Sequence, residues 1–251
     1  MLFKRNKKRD PIAFWDLHTH ILPEMDDGAR DVDESLAILS EQIRQGCQGL
    51  IATPHYYPQE TIRQFAVRRG RAWTVLKAAL QAKRPDWQDK ILLGAEAAWH
   101  PGLCADPDLE MLCLGHSRYL LLEMPFQQWT PAILRDVRTI LNIRGITPVI
   151  AHLERFFGYT SADSIERLLD MYVIVQMNAG ALLSRSLRRQ AFRMVRTGMA
   201  QVISSDTHNM ASRRPDIEYG IQALKDAGLG DQAQEILDRG REIYQEAAEP
   251  L

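Results

Sequence analysis

Seven short runs of apolar, β-favouring residues recur along the chain, and polar residues follow each run. Continuous apolar runs of this length are typical of strands that are buried on both faces, as in parallel sheets. Because parallel strands need a long crossover connection, the intervals between the runs matter as much as the runs themselves. The runs are Ala13–Leu17, Gly49–Thr53, Ile91–Ala95, Tyr119–Glu123, Thr147–Ala151, Val173–Met177 and Ala200–Ser204.

Most of the intervals carry helix signals. Asp31–Glu34 resembles a capping-box start, the apolar residues after it have helical spacing, and Gly46 is a stop signal. Pro131 suits the first position of a later helix, which continues to Leu141. The other predicted helices are Gln59–Lys83, Ser161–Leu169, Ser186–Arg196, Asp216–Leu224 and Gln232–Ala247. Seven strands alternating with helices, without a linker, predict one α/β domain over residues 1–251 that forms a parallel β/α barrel; a doubly wound open sheet is the alternative.

Composition excludes several classes of protein. The formal net charge is −1, which argues against a dedicated nucleic-acid binder. No apolar run approaches the ~18 residues of a membrane span. Residues 1–11 form a basic N-terminal extension without a following apolar region, so we expect no export signal. The three cysteines form no CxxC pair, which favours a reducing cytoplasm, and none is followed at the right distance by the arginine that a cysteine-based phosphatase needs.

Polar, ligand-type side chains lie at or just beyond the ends of the predicted strands, where β/α barrels hold their reactive groups. Two pairs are two residues apart, so in extended chain both members of a pair point to the same face. Imidazoles with carboxylates suit Mn²⁺, Fe or Zn²⁺. The nine candidates exceed what one ion needs and are enough for two or three. They are His18, His20, Asp27, His55, Glu96, Glu123, His152, Asp206 and His208.

Other readings of individual residues stay open. Asp26 and Asp27 precede Gly28 and also fit a simple turn. Arg155 and Arg213 fit either a phosphate-binding role or surface ion pairs. Glu154 is interpreted as the structural partner of a nearby cation. His100 and His116 are predicted to be loop residues.

These motifs together resemble the polymerase-and-histidinol-phosphatase (PHP) superfamily. More narrowly, they resemble the manganese-dependent protein-tyrosine phosphatases of bacterial capsular and exopolysaccharide operons. The resemblance begins with Asp16–Pro23 and Asp26–Gly28. It continues in order through Ala52–His55, Gly94–Glu96, Leu122–Phe126, Ile150–Arg155 and Ser205–Asn209.

The resemblance implies a distorted seven-stranded barrel that holds three metals. By position, the first metal would be bound by His18, His20, Glu96 and Asp206. The second would be held by Glu96, Glu123 and His152, and the third by Asp27, His55 and His208. Arg155 and Arg213 match the phosphate-binding arginines of that family. Mn²⁺ is the expected metal, with Fe and Zn²⁺ as alternatives.

The implied reaction is hydrolysis of protein phosphotyrosine by metal-activated water, with a membrane-bound tyrosine autokinase of polysaccharide export as the partner. A small-molecule phosphatase, such as one acting on histidinol phosphate, remains an alternative. A catalytically silent binding module and a metal-dependent amidohydrolase are further alternatives. The chain is expected in the cytoplasm, with the basic segment Lys4–Arg9 either merely solvated or held at the inner membrane surface. Self-association is left open.

Overall fold

The computed structural model describes residues 12–250. The predicted single domain includes the basic segment Lys4–Arg9, which lies outside the described residues, so its membrane role stays a prediction. The strands are β1 Phe14–Thr19, β2 Cys47–Ala52, β3 His55–Tyr56, β4 Ile91–Leu93, β5 Glu96–Ala98, β6 Tyr119–Glu123, β7 Thr147–Ile150, β8 Ile174–Asn178 and β9 Val202–Ser204. The helices are α1 Val32–Gln45, α2 Ile62–Lys83, α3 Pro131–Asn142, α4 Ala162–Leu169, α5 Ala179–Leu183, α6 Arg188–Arg196, α7 Ile217–Asp226 and α8 Gly230–Ala248.

All neighbouring strands are parallel, and the sheet curls into a barrel. The hydrogen-bonded orders are β1-β2-β4 and β3-β5-β6-β7-β8-β9. The barrel closes between its first and last strands, where Thr19 of β1 pairs with Thr207 just beyond β9. There the amide of His20 donates to the carbonyl of Thr207 at 2.9 Å, and the amide of Asp206 donates to the carbonyl of His18 at 2.9 Å. The predicted parallel β/α barrel is confirmed, and the open sheet is wrong.

The nine strand segments correspond to the seven predicted strands, because two strands are interrupted. Ile91–Ala95 was predicted as one strand, but the ladder breaks at Gly94, so Glu96 begins β5 instead of following a strand. A side chain at Gly94 would lie 2.7 Å from Leu114, and the Gly94 amide donates to the carbonyl of Ala52 at 2.8 Å. A larger residue at this position would therefore require the Leu114 side chain to move, which favours glycine at the break between β4 and β5.

Helices α1 and α2 begin at side-chain caps. The side chain of Asp31 accepts from the amide of Glu34, and Gly46 ends α1 in the left-handed conformation. Thr61 and Gln64 form a capping box at the start of α2, so this helix begins three residues later than predicted. The short helix α5 was not predicted. Most buried apolar side chains lie between the sheet and the helices, while Leu17, Ile51, Leu121, Val149 and Val202 belong to a second cluster.

Candidate metal centre

All nine predicted ligands and both predicted arginines lie at one end of the barrel. His18 lies within β1, His55 begins β3, Glu96 begins β5 and Glu123 ends β6. The others follow β1, β7 or β9 on loops. His152 and Asp206 have φ angles of 32° and 52°, a left-handed backbone that is costly for residues other than glycine. Strained backbone of this kind is concentrated at functional sites, where the surrounding structure holds it.

The most deeply buried group consists of His18, His20, Glu96 and Asp206, whose ligand atoms all lie within 4.8 Å of one another. Nε2 of His18 and Nε2 of His20 each lie 3.2 Å from Oε2 of Glu96. The same two nitrogens each lie 3.4 Å from Oδ1 of Asp206. Two imidazoles and two carboxylates therefore converge on one point inside the barrel.

Hydrogen bonds on the far side of the histidine rings orient them toward the cluster. Nδ1 of His20 lies 2.7 Å from a carboxylate oxygen of Asp26, and Nδ1 of His18 lies 3.3 Å from Oε1 of Gln176. Because both partners are acceptors, a proton on Nδ1 of each ring is stabilised, which leaves Nε2 directed at the carboxylates of the cluster. Nδ1 of His208 likewise faces the carbonyl of Asp206 at 3.0 Å. Such partners orient the ligand histidines of metal sites.

A second group consists of His20, Asp27, His55 and His208. Oδ1 of Asp27 lies 3.1 Å from Nε2 of His208 and 3.4 Å from Nε2 of His55. Nε2 of His208 is buried without a hydrogen-bond partner among the described residues. Of the two aspartates that sequence left open, Asp27 faces the cluster, while Asp26 binds the outer face of His20.

A third group consists of His55, Glu96 and Glu123. Nε2 of His152 lies 2.7 Å from Oε1 of Glu96 and 3.6 Å from Oε1 of Glu123. Glu96 therefore belongs to two of the three groups and contacts His152 as well, which is the position of a bridging ligand. Thiolates are absent from all three groups, so the donors are nitrogen and oxygen atoms of the kind that Mn²⁺, Fe and Zn²⁺ accept.

Burial and neighbouring charges shift the pKa of several groups in the cluster. Burial opposes protonation of His18, but the carboxylates of Glu96 and Asp206 outweigh it and raise the pKa of His18. The pKa of His20 is raised well above its usual value against the same burial, with the Asp26 charge as the main cause. Burial and the charge of Glu96 raise the pKa of Glu123 to about 7. The rings bind positive charge readily, and the cluster as a whole fits cations.

Both arginines point at carboxylates of the cluster. Arg155 donates to Oδ2 of Asp206, and Arg213 donates to Oδ1 of Asp206 at 2.8 Å and to Oδ2 of Asp27 at 3.3 Å. Their side chains are 33% and 32% exposed, so each guanidinium also faces the opening of the site. The sequence interpretation of Glu154 as the partner of a cation is wrong, because its buried carboxylate accepts from the amide of Asn178 at 3.2 Å and forms no ion pair among the described residues.

Two buried polar residues that sequence analysis did not select position the ligands. Oε1 of Gln176 accepts from the amide of His152 at 2.7 Å as well as from His18. Asp16 accepts from the amide of Ser205 at 3.1 Å and from Gln42 at 2.9 Å, which ties β1 to the loop that carries Asp206. The sequence does hold a signal for Gln176, since it is a polar residue inside the apolar run of β8.

Aromatic side chains flank the cluster. The ring of Tyr57 is stacked on His55 with centroids 5.2 Å apart, and Phe126 is stacked on His152 at 6.4 Å. Tyr57 is 43% exposed and Phe126 is 46% exposed. Phe126 also contacts Phe156 and Tyr159, at 4.7 Å and 5.2 Å between centroids. The mouth of the site therefore has exposed aromatic surface beside the ligand histidines.

Comparison with known proteins identifies the family. Residues 14–242 match the sequence profile described as "Capsular polysaccharide synthesis, CpsB/CapC". The chain belongs to the CpsB/CapC family. Tyrosine-protein phosphatase YwqE of Bacillus subtilis is 28% identical over 94% of this chain and 96% of its own length. Tyrosine-protein phosphatase CpsB of Streptococcus pneumoniae is 27% identical over 91% of this chain and 97% of its own length.

Solved structures give the same fold. A chain from the crystal structures of YwqE and CpsB, described as metal-dependent tyrosine phosphatases, matches with a TM-score of 0.77 and 24% identity and covers 92% of this CpsB/CapC chain and 94% of its own. L-hydantoinase from Arthrobacter aurescens matches with a TM-score of 0.51 and 10% identity over 93% of this chain and 71% of its own. These likenesses show the fold alone. Among the described residues, no helix is both long and apolar enough to cross a bilayer.

Proposed function

We propose that this member of the CpsB/CapC family is a metal-dependent protein-tyrosine phosphatase that acts on a tyrosine autokinase of capsular or exopolysaccharide synthesis. One observation carries the proposal: three ligand groups, each pair of which shares one residue (His20, His55 or Glu96), lie beside two arginines whose side chains are about one-third exposed. A cluster of cations next to paired guanidinium groups suits a dianionic phosphate. The tyrosine phosphatases YwqE and CpsB match this chain over more than nine-tenths of its length.

The donor set supports two or three ions; we propose Mn²⁺ as the native metal, with Fe and Zn²⁺ as alternatives that the same nitrogen and oxygen donors fit. His18, His20, Glu96 and Asp206 would hold one ion, and Glu96, Glu123 and His152 a second. Asp27, His55 and His208 would hold a third. Nε2 of His18 lies 3.2 Å from Nε2 of His20, and a cation beside two buried imidazole nitrogens this close together would stabilise them. Bound ions supply Lewis acidity that lowers the pKa of water and withdraws charge from the phosphate.

The chain's own cations complete the phosphate site. Arg155 and Arg213 can each bind phosphate oxygens through a planar fork while the second edge stays on Asp206 or Asp27. No protein nucleophile is required. Burial raises the pKa of the Cys113 thiol to about 12 and also raises the pKa of Cys47, which disfavours a thiolate at either position.

The aromatic mouth favours an aryl phosphate over the small-molecule alternative. Tyr57 and Phe126 are exposed on two sides of the cluster and offer ring faces to the phenyl group of a phosphotyrosine. Histidinol phosphate carries its phosphate on an alkyl group and would gain less there. We infer a cytoplasmic location, where the phosphorylated segment of a membrane kinase is accessible.

The experiment compares substrates of the Mn²⁺-loaded protein. We expect kcat/KM for a phosphotyrosyl peptide to exceed that for histidinol phosphate and for a phosphoseryl peptide of the same sequence. A preference for histidinol phosphate would assign the chain to small-molecule metabolism. A metal-loaded, folded protein that shows no phosphatase activity would favour a catalytically silent binding module.

A further inference from the structure

Helix α6 and the turn before it concentrate positive charge in a way that the metal centre does not explain. Residues 183–197 include five arginines and no acidic residue, although the whole chain has a formal net charge of −1. The five are all exposed and are Arg185, Arg188, Arg189, Arg193 and Arg196. Within residues 12–250, none of their side chains forms an ion pair, whereas many other exposed arginines do.

Two of these arginines line a groove between α4 and α6, which we call the α4–α6 groove. Arg189 and Arg193 are one helical turn apart and so lie on the same face. The groove has a volume of about 620 Å³. Its apolar lining is Ile165, Leu169, Met194 and Met199, and the one acidic residue that lines it is Glu166. This combination suits an extended chain whose apolar groups contact the floor while its anionic groups meet the arginines.

The other two helix arginines face elsewhere. The guanidinium carbons of Arg188 and Arg196 lie 5.2 Å and 5.7 Å from the ring centroid of Phe192. They contribute equal charge to the same helix without lining the groove. The helix therefore contains its own matched control.

The groove starts at the active-site loop. Phe157, which lines the groove and is 37% exposed, is two residues beyond Arg155. Gln190 also lines the groove, and its side-chain amide donates to the carbonyl of Glu154 at 3.5 Å. A polypeptide that reaches the metal centre beside Arg155 can therefore continue past Phe157 into the groove.

We propose that the α4–α6 groove binds an acidic or phosphorylated segment of the same polypeptide that presents its phosphotyrosine to the metal centre; this rests on the proposed function. Charge complementarity commits the occupant to an anionic chain. The concave shape between two helices favours a polypeptide over the flat surface of a membrane. Recognition then extends beyond the phosphotyrosine, and neighbouring acidic groups or further phosphotyrosines select the substrate.

The test uses Mn²⁺-loaded enzyme and two phosphotyrosyl peptides of equal length, one with Glu residues flanking the phosphotyrosine and one with Gln in their place. We expect Arg189→Gln/Arg193→Gln to raise KM for the acidic peptide roughly fivefold, the effect of losing two exposed charge pairs, with kcat preserved. Turnover of the Gln peptide and of p-nitrophenyl phosphate should stay within about twofold of wild type. The control Arg188→Gln/Arg196→Gln, which removes the same charge, should leave all three substrates unchanged.

A binding measurement separates this proposal from the proposed function. Fluorescence anisotropy of a labelled acidic peptide with Phe in place of phosphotyrosine measures binding to the groove without turnover. The affinity for this peptide should fall only in the Arg189/Arg193 variant. Wild-type enzyme that hydrolyses no phosphotyrosyl substrate would reject the proposed function, yet the anisotropy would still test the groove. Equal losses in both double variants would overturn the groove in favour of general charge attraction. Sedimentation with phosphatidylglycerol vesicles that needs Arg189 and Arg193, without an effect on the acidic peptide, would overturn it in favour of a lipid surface.

Discussion

Nε2 of His18 lies 3.2 Å from Nε2 of His20, and both atoms are fully buried. Asp26 and Gln176 lie against the opposite nitrogens, so both Nε2 atoms are directed at the same point beside Glu96 and Asp206. If both Nε2 atoms carry lone pairs, the two repel each other, and burial keeps water from separating them. A cation beside the two atoms would remove this cost. The two histidines, with the carboxylates of Glu96 and Asp206, therefore form a buried group of ligand atoms that suits a metal cation.

Removing one histidine of the pair should prevent the first group of ligands from holding a metal ion. We expect His18→Ala to lower both the number of ions bound per chain and kcat, while the circular dichroism spectrum stays that of the folded barrel. Elemental analysis of the dialysed protein measures the ions. Full occupancy together with wild-type turnover would contradict the assignment of His18.

Gln176 should act through its neighbours, because it contacts two ligand residues and belongs to none of the three ligand groups. We expect Gln176→Leu to weaken metal binding by about 10- to 100-fold, the range for residues that orient metal ligands. It also leaves the buried amide of His152 unpaired, at a cost of about 1–3 kcal/mol in unfolding free energy. Gln176→Glu keeps an acceptor at this position and should recover most of the metal affinity. Equal affinity in Gln176→Leu and wild type would remove Gln176 from the site.

Arg155 should stabilise the transition state without taking part in metal binding. Lys cannot reproduce the bidentate contact with phosphate oxygens that we propose for the planar guanidinium of Arg155. We expect Arg155→Lys to lower kcat by an amount equivalent to about 2–4 kcal/mol, as for a lost oxyanion donor. Metal stoichiometry is measured on the same sample. A variant with normal kinetics would make the contact with Asp206 a mere ion pair, and one that loses metal would make Arg155 a support for the cluster.

Phe126 should affect the choice of substrate. Phe126, whose ring is stacked on His152, offers its exposed face to the phenyl group of phosphotyrosine, and Phe126→Ala removes that face. An aromatic pair contributes about 0.5–1.5 kcal/mol beyond its buried area. We therefore expect KM for a phosphotyrosyl peptide to rise about three- to tenfold, while a small alkyl phosphate keeps its kcat/KM. The matched control is Tyr172→Ala, an exposed aromatic residue between α4 and β8. Equal losses for both substrates would indicate damage to His152 instead.

Asp216 should make stability depend on pH. Burial, with the negative charge of Asp16, raises the pKa of this carboxyl from 3.8 to about 7. The folded state therefore binds a proton that the unfolded chain releases. The resulting stability is complete below pH 3.8 and declines as pH rises to about 7. Relative to Asp216→Asn, the wild-type unfolding free energy should fall by roughly 1.4 kcal/mol for each pH unit in that window. A pH-independent difference between the two proteins would contradict the raised pKa.

The strand ends could be predicted because local pattern determines them. Apolar runs located the seven strand regions, although β3 and β5 lie beyond the predicted runs, and the polar residues at or just beyond the runs located the ligands. The break at Gly94 could not be predicted, since it depends on contact with Leu114 from a distant segment. Gln176 and Asp16 were missed for a related reason. Their role exists only once β8 and β1 carry them beneath the ligands.

The measurement that tests the central claim most directly is metal analysis of the purified protein combined with phosphotyrosyl-peptide hydrolysis before and after chelation. We predict two or three ions per chain, loss of turnover when the chelator removes them, and recovery when Mn²⁺ is added back. Turnover that persists in folded protein stripped of metal would contradict the account.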